Sequence, residues 1–393
     1  MGLLKPEEEQ RNDSSVTTAL LNHLRKVPLQ ELREKLQRLL ESRSGVLLCG
    51  EDLTEKSCAV LASALSSKNS NLTELDLSLN ELQKSGVKKL CEGLRSENCK
   101  LETLTLAYCR IRDEGCADLI KALKSNPQSK LTELNLRGND PEEVAVELFR
   151  DPRRILEKLQ LRGEGLTEKS CAVLASALSS QNSKLTELDL SYNKLQDSGV
   201  KKICEGLRSP NCKLETLRLS ACRLTEESCA DLASALMVKK SPLRELNLSR
   251  NELQDSGVKK LCDGLRSENC KLETLNLSAC RLTEESWADL ASALMVKNSP
   301  LRELDLSKNT LQDSGVKKLC DGLRSENCKL ETLKLSSCSI TDEGCAELVT
   351  VLKSNPSYLT ELDLTANQLE DSGVEQLIEL KDNPDYKLEK LRI

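Results

Sequence analysis

Residues 185–224 read LTELDLSYNKLQDSGVKKICEGLRSPNCKLETLRLSACRL, and this stretch decides the fold. It contains the frame L-x-x-L-x-L-x-x-[N/C]-x-L twice, at Leu185 and again at Leu214. Working outward, the frame also starts at Leu72, Leu101, Leu131, Leu156, Leu243, Leu272, Leu301, Leu330, Leu359 and Leu388. From Leu156 onward every step is 29 residues. No such unit buries its own leucines, so neighbours must stack into a quasi-one-dimensional solenoid.

A period in this range is the signature of leucine-rich repeats, one short strand and one helix per unit. The expected fold class is α/β: a right-handed solenoid or horseshoe with a parallel sheet on its concave face and helices on its convex face. Two kinds of unit alternate. One carries Asn at its ninth position (Asn80, Asn139, Asn193, Asn251, Asn309, Asn367), the other Cys, or Glu at Glu51 and Glu164. Reading back from Leu72 finds a degenerate opening unit at 43–53, RSGVLLCGEDL. The expected organisation is therefore a helical cap or linker over 1–42 and a repeat domain over 43–393, with about 12–13 units, the last one truncated.

Within 1–42, residues 15–41 show helical periodicity broken at Pro28, suited to capping the open end of a solenoid. The chain ends at Ile393 inside a strand pattern, an edge that a further cap or a partner would cover. The unit at Leu131 is shortened to 25 residues, and Asp140-Pro141-Glu142-Glu143 predicts a helix closed by Phe149, with a local change of curvature. Elsewhere Thr225-Glu226-Glu227 and Asp255-Ser256-Gly257 each predict a helix start with an N-cap side chain.

The balance of 57 Lys+Arg against 63 Asp+Glu gives a net charge of -6, and aromatics are 2%. Neither favours nucleic acid, whose recognition wants basic surface and stacking rings. The start MGLLKPEEEQRND is too short and too acidic for a signal peptide, and no apolar run reaches membrane-spanning length. A cytoplasmic protein is expected. Its 18 cysteines recur in register with the repeat (Cys49 aside), as duplicated, reduced core thiols would.

Chemistry is sparse. The P-loop imitations at Gly50–Ser57 and Gly163–Ser170 place Glu55 and Glu168 where phosphate binding needs glycine. The only histidine is His23, so neither a catalytic triad nor zinc ligation is expected in the repeats. No enzyme activity, cofactor or metal follows from these residues.

What remains is the inner face of the sheet, where strand positions three, five and seven point, with position eight just beyond. Position three is Glu in every Asn-type strand: Glu74, Glu133, Glu187, Glu245, Glu303 and Glu361. Position five varies, with Asp76, Asp189, Arg218, Asp305, Lys334 and Asp363 among its residues. Duplicated units that diverge at one outward position point to partner contact there. Tyr108 and Tyr192 at position eight are candidate aromatic anchors. Arg250 and Lys308 share that position. The four columns together hold ten acids and nine bases, and four Asn-type strands pair Glu with Asp: Glu74/Asp76, Glu187/Asp189, Glu303/Asp305 and Glu361/Asp363. A protein ligand with basic side chains against the Glu/Asp pairs is the expected partner.

These paired units resemble the ribonuclease-inhibitor type of leucine-rich repeat, found in ribonuclease inhibitors and in the C-terminal arrays of NOD-like receptors. The resemblance covers about residues 43–393, through the Asn/Cys alternation and the cysteine slots. It implies a cytosolic, non-enzymatic protein-binding array in innate-immune sensing or regulation, with a NACHT domain outside this chain as one expected partner. The alternatives are an inhibitor of a basic enzyme and a passive scaffold. Ribonuclease inhibitors carry tryptophans at positions five and seven of several Cys-type strands. Here those places hold Arg218, Asn276 and Lys334, and Ser220, Ser278 and Ser336, while the sole tryptophan, Trp287, stands in a helix slot filled elsewhere by Cys.

Overall fold

A computed structural model describes residues 43–139, 147–149, 156–163, 165–354 and 358–393. The helices expected within 15–41 and at Asp140–Glu143 lie outside the described residues. Two compact units divide the chain, one ending at Leu166 and one running from Thr167 to Ile393.

The first unit contains β1 (Gly45–Leu47), α1 (Glu55–Ser66), β2 (Glu74–Asp76), α2 (Gln83–Leu94), β3 (Thr103–Thr105), α3 (Arg112–Ser125), β4 (Glu133–Asn135) and β5 (Lys158–Gln160). Its strands pair in parallel in chain order, with Leu75, Leu104 and Leu134 in one register.

The second unit begins with α4 (Glu168–Leu178), β6 (Glu187–Asp189), α5 (Gln196–Leu207), β7 (Thr216–Arg218), α6 (Glu226–Leu236), β8 (Glu245–Asn247) and α7 (Gln254–Leu265). It continues with β9 (Thr274–Asn276), α8 (Ser286–Leu294), β10 (Glu303–Asp305), α9 (Gln312–Leu323), β11 (Thr332–Lys334), α10 (Asp342–Ser354), β12 (Glu361–Asp363), α11 (Asp371–Asp382) and β13 (Lys390–Arg392). Again the strands are parallel and sequential. Each unit is an α/β leucine-rich-repeat solenoid.

The frame leucines make the core. In one repeat Leu214, Leu217, Leu219 and Leu224 are all fully buried, each contributing about 1.5–3 kcal/mol of transfer free energy. Behind them the helices approach closely at a repeated glycine. A Cβ on Gly264 of α7 would lie 2.7 Å from the Ala233 Cα of α6, and Gly206, Gly93 and Gly322 meet an alanine backbone in the same way. Trp287 sits fully buried where other units place cysteine. Gly315 accommodates its ring, since a Cβ there would fall 2.4 Å from the indole.

Buried turns need their backbone groups paired, and the ninth-position side chains do this. Asn251 Oδ1 accepts from the amides of Cys222 and Leu224, at 2.9 and 3.1 Å, while its Nδ2 donates to Leu219 O and Leu248 O, at 2.9 and 2.8 Å. Asn80 and Asn309 repeat the pattern. In Cys-type turns the thiol donates instead, as from Cys222 Sγ to Leu190 O at 3.2 Å.

The helix starts divide. Thr225 caps α6 as expected, its hydroxyl accepting from Glu227 N at 3.3 Å. Asp255 does not cap its own helix: Leu253 holds that place with helical backbone and no side-chain bond. The Asp255 carboxylate reaches into the next repeat, accepting from Thr283 N at 2.9 Å and from the hydroxyls of Thr283 and Ser286. Asp197 and Asp313 act likewise on Thr225 and Thr341. Side-chain spacing along one chain cannot distinguish a local cap from one supplied by the preceding turn.

Candidate protein-binding face

One face of each sheet is filled by leucine. The other carries positions three and five, half-buried or exposed apart from the buried Asp189, with central residues such as Leu217 and Leu246 buried beneath. Five of the six position-three glutamates meet a base on a neighbouring strand. Glu133 pairs with Lys158 at 2.7 Å, Glu303 with Lys334 at 2.5 Å, and Glu361 with Lys390 and Arg392 at 3.3 and 3.5 Å. Arg218 on β7 bridges the strands on both sides, 2.5 Å from Glu187 and 2.9 Å from Glu245. Burial opposes the charge on Arg218. The hydrogen bond it donates to Glu187 and the attraction of Glu245, Glu187 and Asp189 outweigh it and hold its pKa above the ordinary value. Lys334 is raised in the same way, burial being overcome by Glu303, Asp305 and Glu361. Glu74 has no ion pair among the described residues; beside it on β1 and β3 stand Gly45 and Thr103.

The aspartates of the expected Glu/Asp pairs also have internal work. Asp189 Oδ1 accepts from Ser191 N at 2.9 Å, and Asp189 is buried. Asp76, Asp305 and Asp363 bind the amide two residues on, at 2.8, 3.0 and 2.9 Å. The expected Glu/Asp pairs therefore have partners inside the protein. The acids are in place, but bridging bases and the strand-end turns occupy them, a cross-strand pairing that no single repeat displays. Position seven also differs from expectation: Ser191, Ser220, Ser249 and Ser307 are buried. Their hydroxyls bond across to the neighbouring repeat: Ser249 Oγ donates to Ser220 Oγ at 2.8 Å, while Ser191 Oγ and Ser307 Oγ accept from the amides of Ser220 and Ser336.

At position eight the chain turns in the left-handed region. Tyr108, Tyr192, Arg250 and Lys308 have φ of +55°, +65°, +59° and +59°, where an L side chain costs about 1–2 kcal/mol relative to right-handed backbone. Ladder bonds hold them there, for example Arg250 N to Ser278 O and Lys308 N to Ser336 O, both 2.8 Å. Both tyrosines are more than two-fifths exposed, and Arg137 lies 5.2 Å from the Tyr108 ring centroid. The sequence reading passed over position ten, two residues further on, where Lys194, Arg223 and Arg281 are exposed. Their signal was a base at the same place in three of four consecutive turns, with Glu252 in the other.

All 18 cysteines are unbridged, 17 of them buried, with Cys49 exposed. Burial pushes the Cys222 and Cys262 thiols up to about 12. Among the described residues no group of three or more His, Cys, Asp or Glu comes together as a metal-holding set. None of the described helices is long and apolar enough to cross a membrane.

Seven segments (68–91, 97–119, 181–204, 239–262, 297–320, 326–349 and 355–377) match the family described as Leucine Rich repeat. Over 156 residues the chain is 45% identical to NACHT, LRR and PYD domains-containing protein 12 of Homo sapiens, covering 39% of this chain and 14% of that protein. Over 160 residues it is 41% identical to the ribonuclease inhibitor of Mus musculus, covering 40% of this chain and 34% of that one. The chain thus spans only a minor part of the curated relatives it matches. The crystal structure of an internalin from Listeria monocytogenes aligns over 100% of this chain and 98% of that one, with a TM-score of 0.51 and 19% identity, a likeness of fold.

Proposed function

This chain carries leucine-rich repeats of the ribonuclease-inhibitor type, and on that premise we propose that it is a non-enzymatic module that recognises a protein on the open face of its sheet. The observation that carries the reading is divergence at one place. Position four is leucine in strand after strand, while its outward neighbour at position five runs through Asp189, Arg218, Asn247, Asn276, Asp305 and Lys334. A merely solvated column in duplicated units has no need of such variety. Its relatives include several NACHT, LRR and PYD proteins, which favours a cytoplasmic role in innate-immune sensing or regulation, with a NACHT domain as a natural companion.

A photo-crosslinking residue at Asn247 or Asn276 tests this, with Lys259 on a helix as the comparison. A protein captured from the strand positions and absent from the helix position supports recognition by the sheet. Capture from the helix alone, or from neither, refutes it.

A further inference from the structure

Five consecutive strand-to-helix turns, those following β6 to β10, each hold an exposed base: Lys194, Arg223, Arg250, Arg281 and Lys308. The last four all sit in left-handed backbone, at φ of +60°, +59°, +59° and +59°. Glycine takes this conformation without strain, and Gly50, Gly138 and Gly163 stand at position eight of other turns. Arg281 forms an ion pair with Glu252 at 2.7 Å; Lys194, Arg223, Arg250 and Lys308 form none among the described residues. The next turns carry Ser337, Ser339, Ala366 and Gln368, and the like-placed Arg110 in the turn after β3 is paired with Glu81 at 2.7 Å, so the run of five is the longest succession of such bases among the described turns of an acidic protein. They also crowd the positive ends of the following helices, which local electrostatics disfavours.

We propose that this ridge docks an extended acidic peptide segment in polyproline-II conformation, with a carboxylate at every third residue. This rests on the reading of the chain as a protein-recognition module and specifies the chemistry of the partner. Adjacent turns step by about 4.8 Å, so Arg223 and Arg281, like Arg250 and Lys308, stand roughly 10 Å apart. A polyproline-II chain has three residues per turn and rises about 3.1 Å per residue, returning a side chain to the same face every ~9.3 Å. The two spacings agree to within about an ångström. A fully extended β-strand, whose side chains alternate, puts every third residue on the opposite face.

A peptide also suits the width of the ridge. Glu226, Glu227, Glu284 and Glu285 lie just behind it at the helix starts. A duplex or a bilayer would set its phosphates against those acids, whereas one peptide strand along the bases meets a single acid, Glu252, already paired with Arg281. Single-stranded nucleic acid wants stacking rings, and among these turns only Tyr192 supplies one.

The test is fluorescence anisotropy with the full chain and a labelled peptide of Glu-Pro-Pro repeats. The expected result is saturable binding that weakens with salt. It should weaken by about tenfold or more in R223E/R281E and in R250E/K308E, less in the milder R223Q/R281Q, and not at all in K88E/K89E on a helix. The proposal is overturned if the peptide does not bind. It is also overturned if correctly folded ridge variants bind as well as the parent. Equal affinity for Gln-Pro-Pro repeats, or for a peptide with its glutamates gathered at one end, overturns it, as does tighter ridge-dependent binding of an oligothymidylate. If the peptide fails while Asn247 still captures a protein by crosslinking, the ridge proposal alone falls. If Asn247 also captures nothing, the recognition reading falls with it.

Discussion

Replacing Asn251 by alanine removes five hydrogen bonds, the longest to Ser249 O at 3.3 Å, from a residue that is 2% exposed. The amides of Cys222 and Leu224 lose their acceptor in the interior. An orphaned buried donor costs about 1–3 kcal/mol, so the two together cost about 2–6 kcal/mol. The carbonyls of Leu219 and Leu248 add less, because a carbonyl has a second lone pair. Stability in a solenoid is a sum of repeat and nearest-neighbour terms, so the damage should centre on the turns after β7 and β8. Urea denaturation reads the size of the loss, and hydrogen exchange by mass spectrometry reads its place, with protection falling first over residues 219–224. Asn251→Asp should not rescue it, since that side chain keeps an acceptor but turns a carboxylate toward two carbonyls. A loss under about 1 kcal/mol with protection intact would refute the account of the asparagine ladder.

Gly264→Ala should destabilise the protein by about 1–3 kcal/mol, because its Cβ meets the Ala233 backbone; a thermal melt within error of the parent would contradict that contact. In Asp255, burial raises the carboxyl pKa, but hydrogen bonds from Ser286 and Thr283 outweigh it, so the pKa lies below the ordinary value. A depressed folded pKa contributes stability above the unfolded pKa and loses it as pH falls through the folded one. Asp255→Asn should therefore be less stable than the parent at neutral pH, and the gap should close as pH drops through the carboxylate range. Iodoacetamide on native protein should label Cys49 first, and more slowly than a free thiol at neutral pH, since partial burial and then Asp76 and Glu51 raise its pKa; mass spectrometry should find all 18 labelled after denaturation. No stoichiometric inhibition of a pancreatic-type ribonuclease is expected in an activity titration at nanomolar protein, because positions five and seven of β7, β9 and β11 hold Arg218, Asn276, Lys334 and serines in place of tryptophan anchors.

The sequence by itself determined the repeat, its register and its buried face. A 29-residue period with leucines at fixed offsets admits one arrangement of strand and helix, and every strand falls on positions three to five of the frame. The polar ninth position was legible too, since a buried turn must pair its backbone and Asn251 is placed to do so. Only the tertiary structure decided what each charge touches. Arg218 reaches Glu187 31 residues before it and Glu245 27 residues after it, and Asp255 holds the turn that leads into the helix of the following repeat. The left-handed turns that lift Arg223, Arg250, Arg281 and Lys308 into one ridge are likewise invisible in a column of letters. The physical reason is the stacking itself. Burial is set within a repeat by its own periodicity, whereas electrostatic partners in a solenoid come from the repeats beside it, at distances fixed by the spacing of strands.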